Sequence, residues 1–201
     1  MRLVADKLSG ERGGELIFSD LDFVIAAGAA LLVTGPNGAG KSTLLRIIAG
    51  LLAPLSGNVR LEGGDGFPDV QSACHYLGHT NAMKPALSVR ENLAFWQAFN
   101  GEARQDIDEA LETVGLGGTD HLPFGYLSTG QKRRISIAKL LVSYRPVWLL
   151  DEPTAGLDKI SESRFAGLMQ GHLGEGGIIV AATHLPLGLD NAQELAMEGR
   201  G

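Results

Sequence analysis

Apolar and polar positions change rhythm along this chain of 201 residues. Up to about residue 66 the pattern is that of short strands, with Gly13-Gly14 and Gly63-Gly64 as turn signals. Val24, Ala26 and their neighbours lead into a turn at Gly28, and Ala30–Thr34 then reads as a buried strand. Leu44, Ile47, Ile48 and Leu51 recur at helical spacing, which predicts a helix over residues 42–49 stopped by Gly50. Val59 and Leu61 alternate with polar residues, as in a half-buried strand.

From residue 88 to 144 the rhythm becomes helical. Ser88 and Glu91 have the spacing of a capping box, followed by Leu93, Phe95 and Trp96. The aromatic cluster Phe95, Trp96 and Phe99 reads as core packing. Residues 106–114 form a second amphipathic pattern ended by Gly115, and residues 128–142 a third. Pro146 precedes a short apolar strand at 147–150, and Ile178–Ala182 is another fully apolar strand. Strand, helical insert, strand, helix, strand predicts an α/β fold with a mostly parallel core sheet. No internal repeat, low-complexity tract or linker interrupts it.

Length and charge narrow the function. The chain is long enough for one substantial core. A net charge of -6 and an isoelectric point near 5.3 argue against a general nucleic-acid binder, which needs a basic surface. The single cysteine, Cys74, cannot form an intramolecular disulfide and reads as a small buried residue. The longest apolar stretch, residues 23–33, contains Gly28 and falls short of the ~20 residues of a spanning helix. No signal peptide is expected from the first residues. If the chain works at a membrane, it does so through a partner.

Two motifs carry chemistry. Gly35-Pro36-Asn37-Gly38-Ala39-Gly40-Lys41-Ser42 fits G-x-x-x-x-G-K-[ST] at every fixed position, after a strand and at the start of a helix. Its glycines let backbone N–H groups turn toward phosphate oxygens, and the helix N-terminus, with Thr43 in its first turn, adds partial positive charge. Lys41 can reach β- and γ-phosphates, and the Ser42 hydroxyl can take a Mg²⁺ position, so ATP and Mg²⁺ are the expected ligands. The second motif is the apolar strand Val147-Trp148-Leu149-Leu150 ending in Asp151-Glu152. Asp151 suits the Mg²⁺ shell and Glu152 suits polarisation of an attacking water.

Leu127-Ser128-Thr129-Gly130-Gln131 resembles the LSGGQ signature of ABC nucleotide-binding subunits, with Thr129 in place of one glycine. Gly156-Leu157-Asp158 resembles the D-loop, and His184, after the last apolar strand, resembles the switch histidine. Phosphate loop, signature, acid pair, D-loop and histidine come in that family's order, from about residue 31 to 184. The resemblance implies a P-loop NTPase with a RecA-like core, an N-terminal antiparallel β part and an inserted helical subdomain at about residues 85–145. The whole of 1–201 would be a single nucleotide-binding domain. It also implies that Ser128 and Gly130 face the phosphate loop of a second copy, so that two ATP molecules are sandwiched between two chains. Ser128 at a helix start fits such an anion site. Glu152 and His184 would be catalytic.

Two positions depart from the family pattern. Arg12 stands where an adenine-stacking aromatic is expected; a guanidinium can stack on a base, and it can equally be a solvated turn residue. His79 stands where the Q-loop glutamine is expected at the metal, with Thr80 beside it as the other candidate. The stretch from Tyr76 through Lys84 to Leu93, and that from Leu127 to Lys139 with Trp148-Leu149-Leu150-Asp151-Glu152, look like the small ATPases of cytochrome c maturation systems, the haem exporter type. That resemblance implies ATP-driven transport or release of haem or a haem chaperone. It also implies separate integral membrane subunits as partners and a peripheral place on the cytoplasmic face of a bacterial inner membrane. The alternative is the ATPase of another small ABC exporter or importer.

Overall fold

The structure is a computed structural model that describes residues 1–64, 66–101, 103–189 and 192–198. The chain divides into two compact units. One comprises Met1–Gly78, Pro146–Pro153 and the described residues from Met169 onward; the other comprises His79–Arg145 and Thr154–Leu168.

The first unit opens with two long strands, β1 (Arg2–Arg12) and β2 (Glu15–Ala26). Gly13 and Gly14, at φ 61° and 84°, make the two-residue turn between them. Two consecutive left-handed residues match the twist of a hairpin, and glycine takes both without strain. Strand β4 (Ser56–Glu62) pairs with the other edge of β1, giving a three-stranded antiparallel sheet in the order β2-β1-β4.

The second sheet holds five strands, all in parallel pairs: β5 (Cys74–Leu77), β6 (Val147–Asp151), β7 (Ile178–Ala182), β3 (Ala30–Thr34) and β8 (Gln193–Ala196), in that spatial order. Every residue of β6 and β7 is buried, which explains their unbroken apolar runs: a parallel sheet is covered on both faces. Helix α1 (Lys41–Ile48) packs on β1, β6 and β7. Its Leu44, Leu45 and Ile48 join Leu3, Leu8, Ile25, Val147, Leu149, Ile178 and Val180 in one core that both sheets share. Leu51, read from sequence as a continuation of the α1 stripe, is 60% exposed, because Gly50 turns the chain at φ 70° first. Cys74 is only half-buried, since it opens the edge strand β5.

The second unit is built on three helices, α2 (Val89–Asn100), α3 (Ile107–Thr113) and α4 (Thr129–Leu141), which pack on one another. Helix α5 (Lys159–Gly174) begins in this unit and ends in the first. Ser88 and Ser128 both close capping boxes, with Glu91 and Gln131. The Asp106 carboxylate accepts from the Asp108 N–H at 2.8 Å, and that of Asp158 from the Ser161 N–H at 2.8 Å. Each cap satisfies first-turn donors that have no partner inside the helix.

The expectation that Phe95, Trp96 and Phe99 pack in the core is overturned. Phe95 is 52% and Phe99 71% exposed. Helical phase explains it: Val89, Asn92 and Leu93 take the inner face of α2, and the phenylalanines fall on the other side. An asparagine is a costly residue to bury unless its amide is hydrogen-bonded. The Asn92 amide accepts from the Lys84 N–H at 2.8 Å and donates to the carbonyls of Lys84, Leu87 and Ser88 at 2.9–3.3 Å. With its polar atoms satisfied, its burial costs little. Trp96 is half-buried. Its indole donates to the Ala82 carbonyl at 2.9 Å, and its ring lies 4.6 Å from the Lys139 ammonium, which burial lowers to about 8.

Candidate functional site

Three neighbouring strands of the parallel sheet end at one level. In register, Asp151 of β6 stands opposite Ala182 of β7, and Ala182 stands opposite Val33 of β3. The loops that leave these ends carry the phosphate loop, the acid pair and His184. The C-terminal edge of a parallel sheet is where such folds hold ligands, because the loops there converge while the sheet fixes their origins.

The phosphate loop leaves β3 through Gly35, Gly38 and Gly40, at φ 128°, 88° and 100°. Gly40 serves as the N-cap of α1 and no side chain caps that helix, unlike α2, α3 and α4. The first-turn N–H groups of α1 therefore face the loop, and the helix end favours an anion there. Gly35 is fixed by a second constraint. A Cβ on it would lie 2.2 Å from the Met197 carbonyl oxygen, just past β8, where the Met197 N–H donates to the Thr34 carbonyl at 2.9 Å. Gly35→Ala must therefore both strain the backbone and push the C-terminal strand away. The expected cost is roughly 1–3 kcal/mol, a fall in Tm of roughly 2–12 °C for a chain of this size, together with weaker ATP binding. Differential scanning calorimetry and a nucleotide titration check it; an unaltered Tm and affinity would mean β8 does not brace the loop.

Lys41 is buried, 7% exposed. Its ammonium donates to the Gly35 carbonyl at 2.6 Å and the Pro36 carbonyl at 3.0 Å. The Ser42 hydroxyl donates to Asp151 Oδ1 at 3.0 Å, and Asp151 is 1% exposed. Thr43 is buried in the first turn of α1. His184 Nε2 lies 3.0 Å from Lys41 Nζ, 3.0 Å from Asn37 Oδ1 and 3.7 Å from Glu152 Oε1. Lysine can only donate, so it needs a lone pair on Nε2; Asn37 Oδ1 and Glu152 need a proton there. One nitrogen cannot meet both demands at once. Through these contacts His184 joins the phosphate loop to Glu152.

Glu152 has φ 45°, a left-handed backbone that L side chains rarely adopt. Its N–H donates to the Ala182 carbonyl at 2.9 Å, which holds it at the end of the sheet. Such strain is retained where a side chain must point in one direction.

One side chain at this site was given no role by the sequence, where it only opens a family-like stretch. The Tyr76 hydroxyl, from β5, donates to Asp151 Oδ2 at 3.4 Å. Burial raises it above the usual phenol range, Arg46 of α1 hydrogen-bonds it in the lowering sense, and the Asp151 charge adds to the rise. It therefore stays a donor throughout the neutral range.

Ser42 and Asp151 offer hard oxygens 3.0 Å apart, a fit for a small divalent cation that also takes phosphate and water oxygens. Among the described residues no three His, Cys, Asp or Glu side chains gather as a metal cage, so phosphate oxygens and water would complete any shell.

The remaining sequence candidates are placed each within its own unit. Arg12 is exposed at the β1–β2 hairpin end, paired in register with Glu15. His79 and Thr80 are exposed and belong to the helical unit. Ser128 and Gly130 are in that unit too. Ser128 Oγ accepts from the Gln131 N–H at 3.3 Å, and the Ser128 N–H donates to Gln131 Oε1 at 2.9 Å. A Cβ on Gly130 would lie 3.2 Å from the Gly156 carbonyl. The signature-like turn and the D-loop-like turn therefore touch.

The family model described as ABC transporter matches residues 18–155. The cytochrome c biogenesis ATP-binding export protein of Mesorhizobium japonicum is 69% identical over 96% of this chain and 96% of its own length. The protein of the same name from Rhizobium meliloti is 58% identical over 99% of each. Among solved structures, an ABC transporter ATP-binding protein from Pyrococcus furiosus superposes with a TM-score of 0.83 over 98% of each chain at 24% identity, a likeness of fold. With a family model spanning most of the chain and near full-length relatives at 69% identity, the chain belongs to the ABC transporter family, among its cytochrome c biogenesis ATP-binding export proteins.

Proposed function

We propose that this chain binds MgATP on the Gly35–Ser42 loop and hydrolyses it to drive a transport or release step in cytochrome c biogenesis, moving haem or freeing a haem-loaded carrier. The observation that carries the reading is the convergence of Lys41, Ser42, Asp151, Glu152 and His184 on the ends of three adjacent parallel strands. The phosphate groups take the loop N–H groups from Gly35 to Thr43, with Pro36, Asn37, Gly38 and Ala39 shaping the turn. Lys41 exchanges its loop carbonyls for β- and γ-phosphate oxygens. Ser42 and Asp151 would hold Mg²⁺, and His79, at the family's glutamine position, is the further residue proposed for the cation. The cation, when bound, neutralises phosphate charge. Glu152 accepts the proton of the attacking water, and His184 orients it through the contact between their side chains. Arg12 stacks on adenine.

The residues from 1 to 201 act as one nucleotide-binding domain with a helical subdomain near 85–145. A second copy supplies Ser128 and Gly130, because one chain has one phosphate loop and one signature. Separate integral membrane subunits are the other partners. Two observations support this: no helix among the described residues is long and apolar enough to cross a membrane, and Phe95 and Phe99 give the helical unit an exposed aromatic face of the kind that marks a protein interface. The working position is peripheral, on the cytoplasmic face of the inner membrane.

The test is complementation. In a bacterium deleted for its own cytochrome c biogenesis ATPase, this chain should restore haem-stained c-type cytochromes, and Glu152→Gln should not. Restored cytochromes with the variant would remove ATP hydrolysis from the proposal. An expressed, ATP-hydrolysing wild-type chain that restores none would favour another ABC transport role.

A further inference from the structure

We infer that Tyr76 is a positioning residue for cation binding, holding the Asp151 carboxylate in the orientation that Mg²⁺ requires. The inference rests on the reading that Asp151 serves the cation. Both oxygens of Asp151 take protein donors from different elements. Oδ1 accepts from Ser42 at the start of α1, and Oδ2 accepts from the Tyr76 hydroxyl at the end of β5. A carboxylate with a donor on each oxygen is restrained from rotating about its last bond, which favours one orientation of the group toward a cation. In a buried site that pre-ordering is what a small hard cation with strict geometry rewards.

The rest of the neighbourhood holds the phenol in place. Tyr76 stands opposite Leu149 in the β5–β6 register, two residues before the level of Asp151, and its ring reaches forward along the sheet. Gly78 makes room for it. A Cβ at Gly78 would lie 2.7 Å from Tyr76 Cε1 and 3.0 Å from both Cζ and the hydroxyl oxygen. Real side-chain carbons do not come that close to a ring. Gly78 has no positive φ to explain it, so the close approach of the phenol is the physical reason for a glycine there. Arg46, on the outer side of α1, acts on the same hydroxyl in the sense that lowers its pKa. Tyr76-Leu77-Gly78 is thus a ring, a core residue and the space for the ring.

The experiment measures the Mg²⁺ concentration for half-maximal ATPase at saturating ATP, alongside ATP binding in EDTA. Tyr76→Phe keeps the ring and removes the donor. It should raise the Mg²⁺ requirement about three- to tenfold, the scale of one ordinary, long hydrogen bond, and leave metal-free ATP binding and Tm unaltered. A structural role would move Tm or metal-free binding instead. Gly78→Ala displaces the ring with its hydroxyl intact and should raise the Mg²⁺ requirement in the same sense. Asp151→Asn should raise it more than either. If Asp151→Asn shifts the Mg²⁺ curve and Tyr76→Phe does not, the positioning role is wrong. If Asp151→Asn leaves the curve in place, the cation reading of Asp151 fails, and this inference fails with it.

Discussion

Replacing Lys41 with alanine should abolish ATP turnover and weaken nucleotide binding at least tenfold. Lys41 is almost fully buried, so its charge acts in surroundings that screen it poorly. It makes two hydrogen bonds to loop carbonyls and a third contact to His184. A phosphate oxygen offers a full negative charge in exchange for those neutral acceptors, and a charge-assisted hydrogen bond is worth about 1.5–3 kcal/mol net, roughly a factor of 10 to 150. Alanine loses that bond and also leaves the Gly35 and Pro36 carbonyls without their donor, which loosens the loop before any nucleotide arrives. Phosphate release and a fluorescent-nucleotide titration on the purified chain measure the two effects. Turnover near the wild-type rate would remove the phosphate-loop assignment, and with it the ATP chemistry built on Lys41.

What could be read from the sequence was local. The phosphate loop, the capping box at Ser88, the helix start at Ser128 and the strand that ends in Asp151 are runs of consecutive residues, and the physics that fixes each acts within a few positions. The contacts that finish the site join distant segments. Met197 against Gly35 spans most of the chain, and the strand that brings it, β8, is four residues long with no buried position, so no apolar pattern announces it. Tyr76 and Asp151 meet because β5 lies beside β6, an adjacency that strand order alone decides. The aromatic cluster on α2 failed for another reason. Hydrophobicity alone favoured Phe95 and Phe99 for the core, but helical phase and the four hydrogen bonds of Asn92 determined which face turned inward.

Glu152→Gln should separate chemistry from assembly. Gln keeps the length and shape of the side chain and one carbonyl oxygen, and the strained backbone at residue 152, held by its bond to Ala182, is not altered by it. The Lys41 bond to the Gly35 carbonyl and the Ser42 bond to Asp151 are made by other side chains, so ATP and Mg²⁺ should bind about as in wild type. The variant lacks the charge that accepts a proton from water, and hydrolysis should fall by ~10²-fold or more, the usual scale for losing a general base. Its contact with His184 also changes: an amide offers no carboxylate to stabilise a proton on Nε2. With ATP persisting on the loop, any second copy whose signature engages it is retained, because a ligand that binds only the paired state shifts the monomer–dimer equilibrium by mass action. The variant should therefore elute as a dimer with ATP and as a monomer with ADP. Wild type should show little stable dimer with either, since it consumes the ligand that joins the pair. Size-exclusion chromatography with light scattering, beside a phosphate-release assay, reads both outcomes. Near-normal turnover would refute the role of Glu152. Lost turnover with no ATP-dependent dimer would keep that role and remove the support for a site shared with the Ser128–Gly130 turn of a second copy.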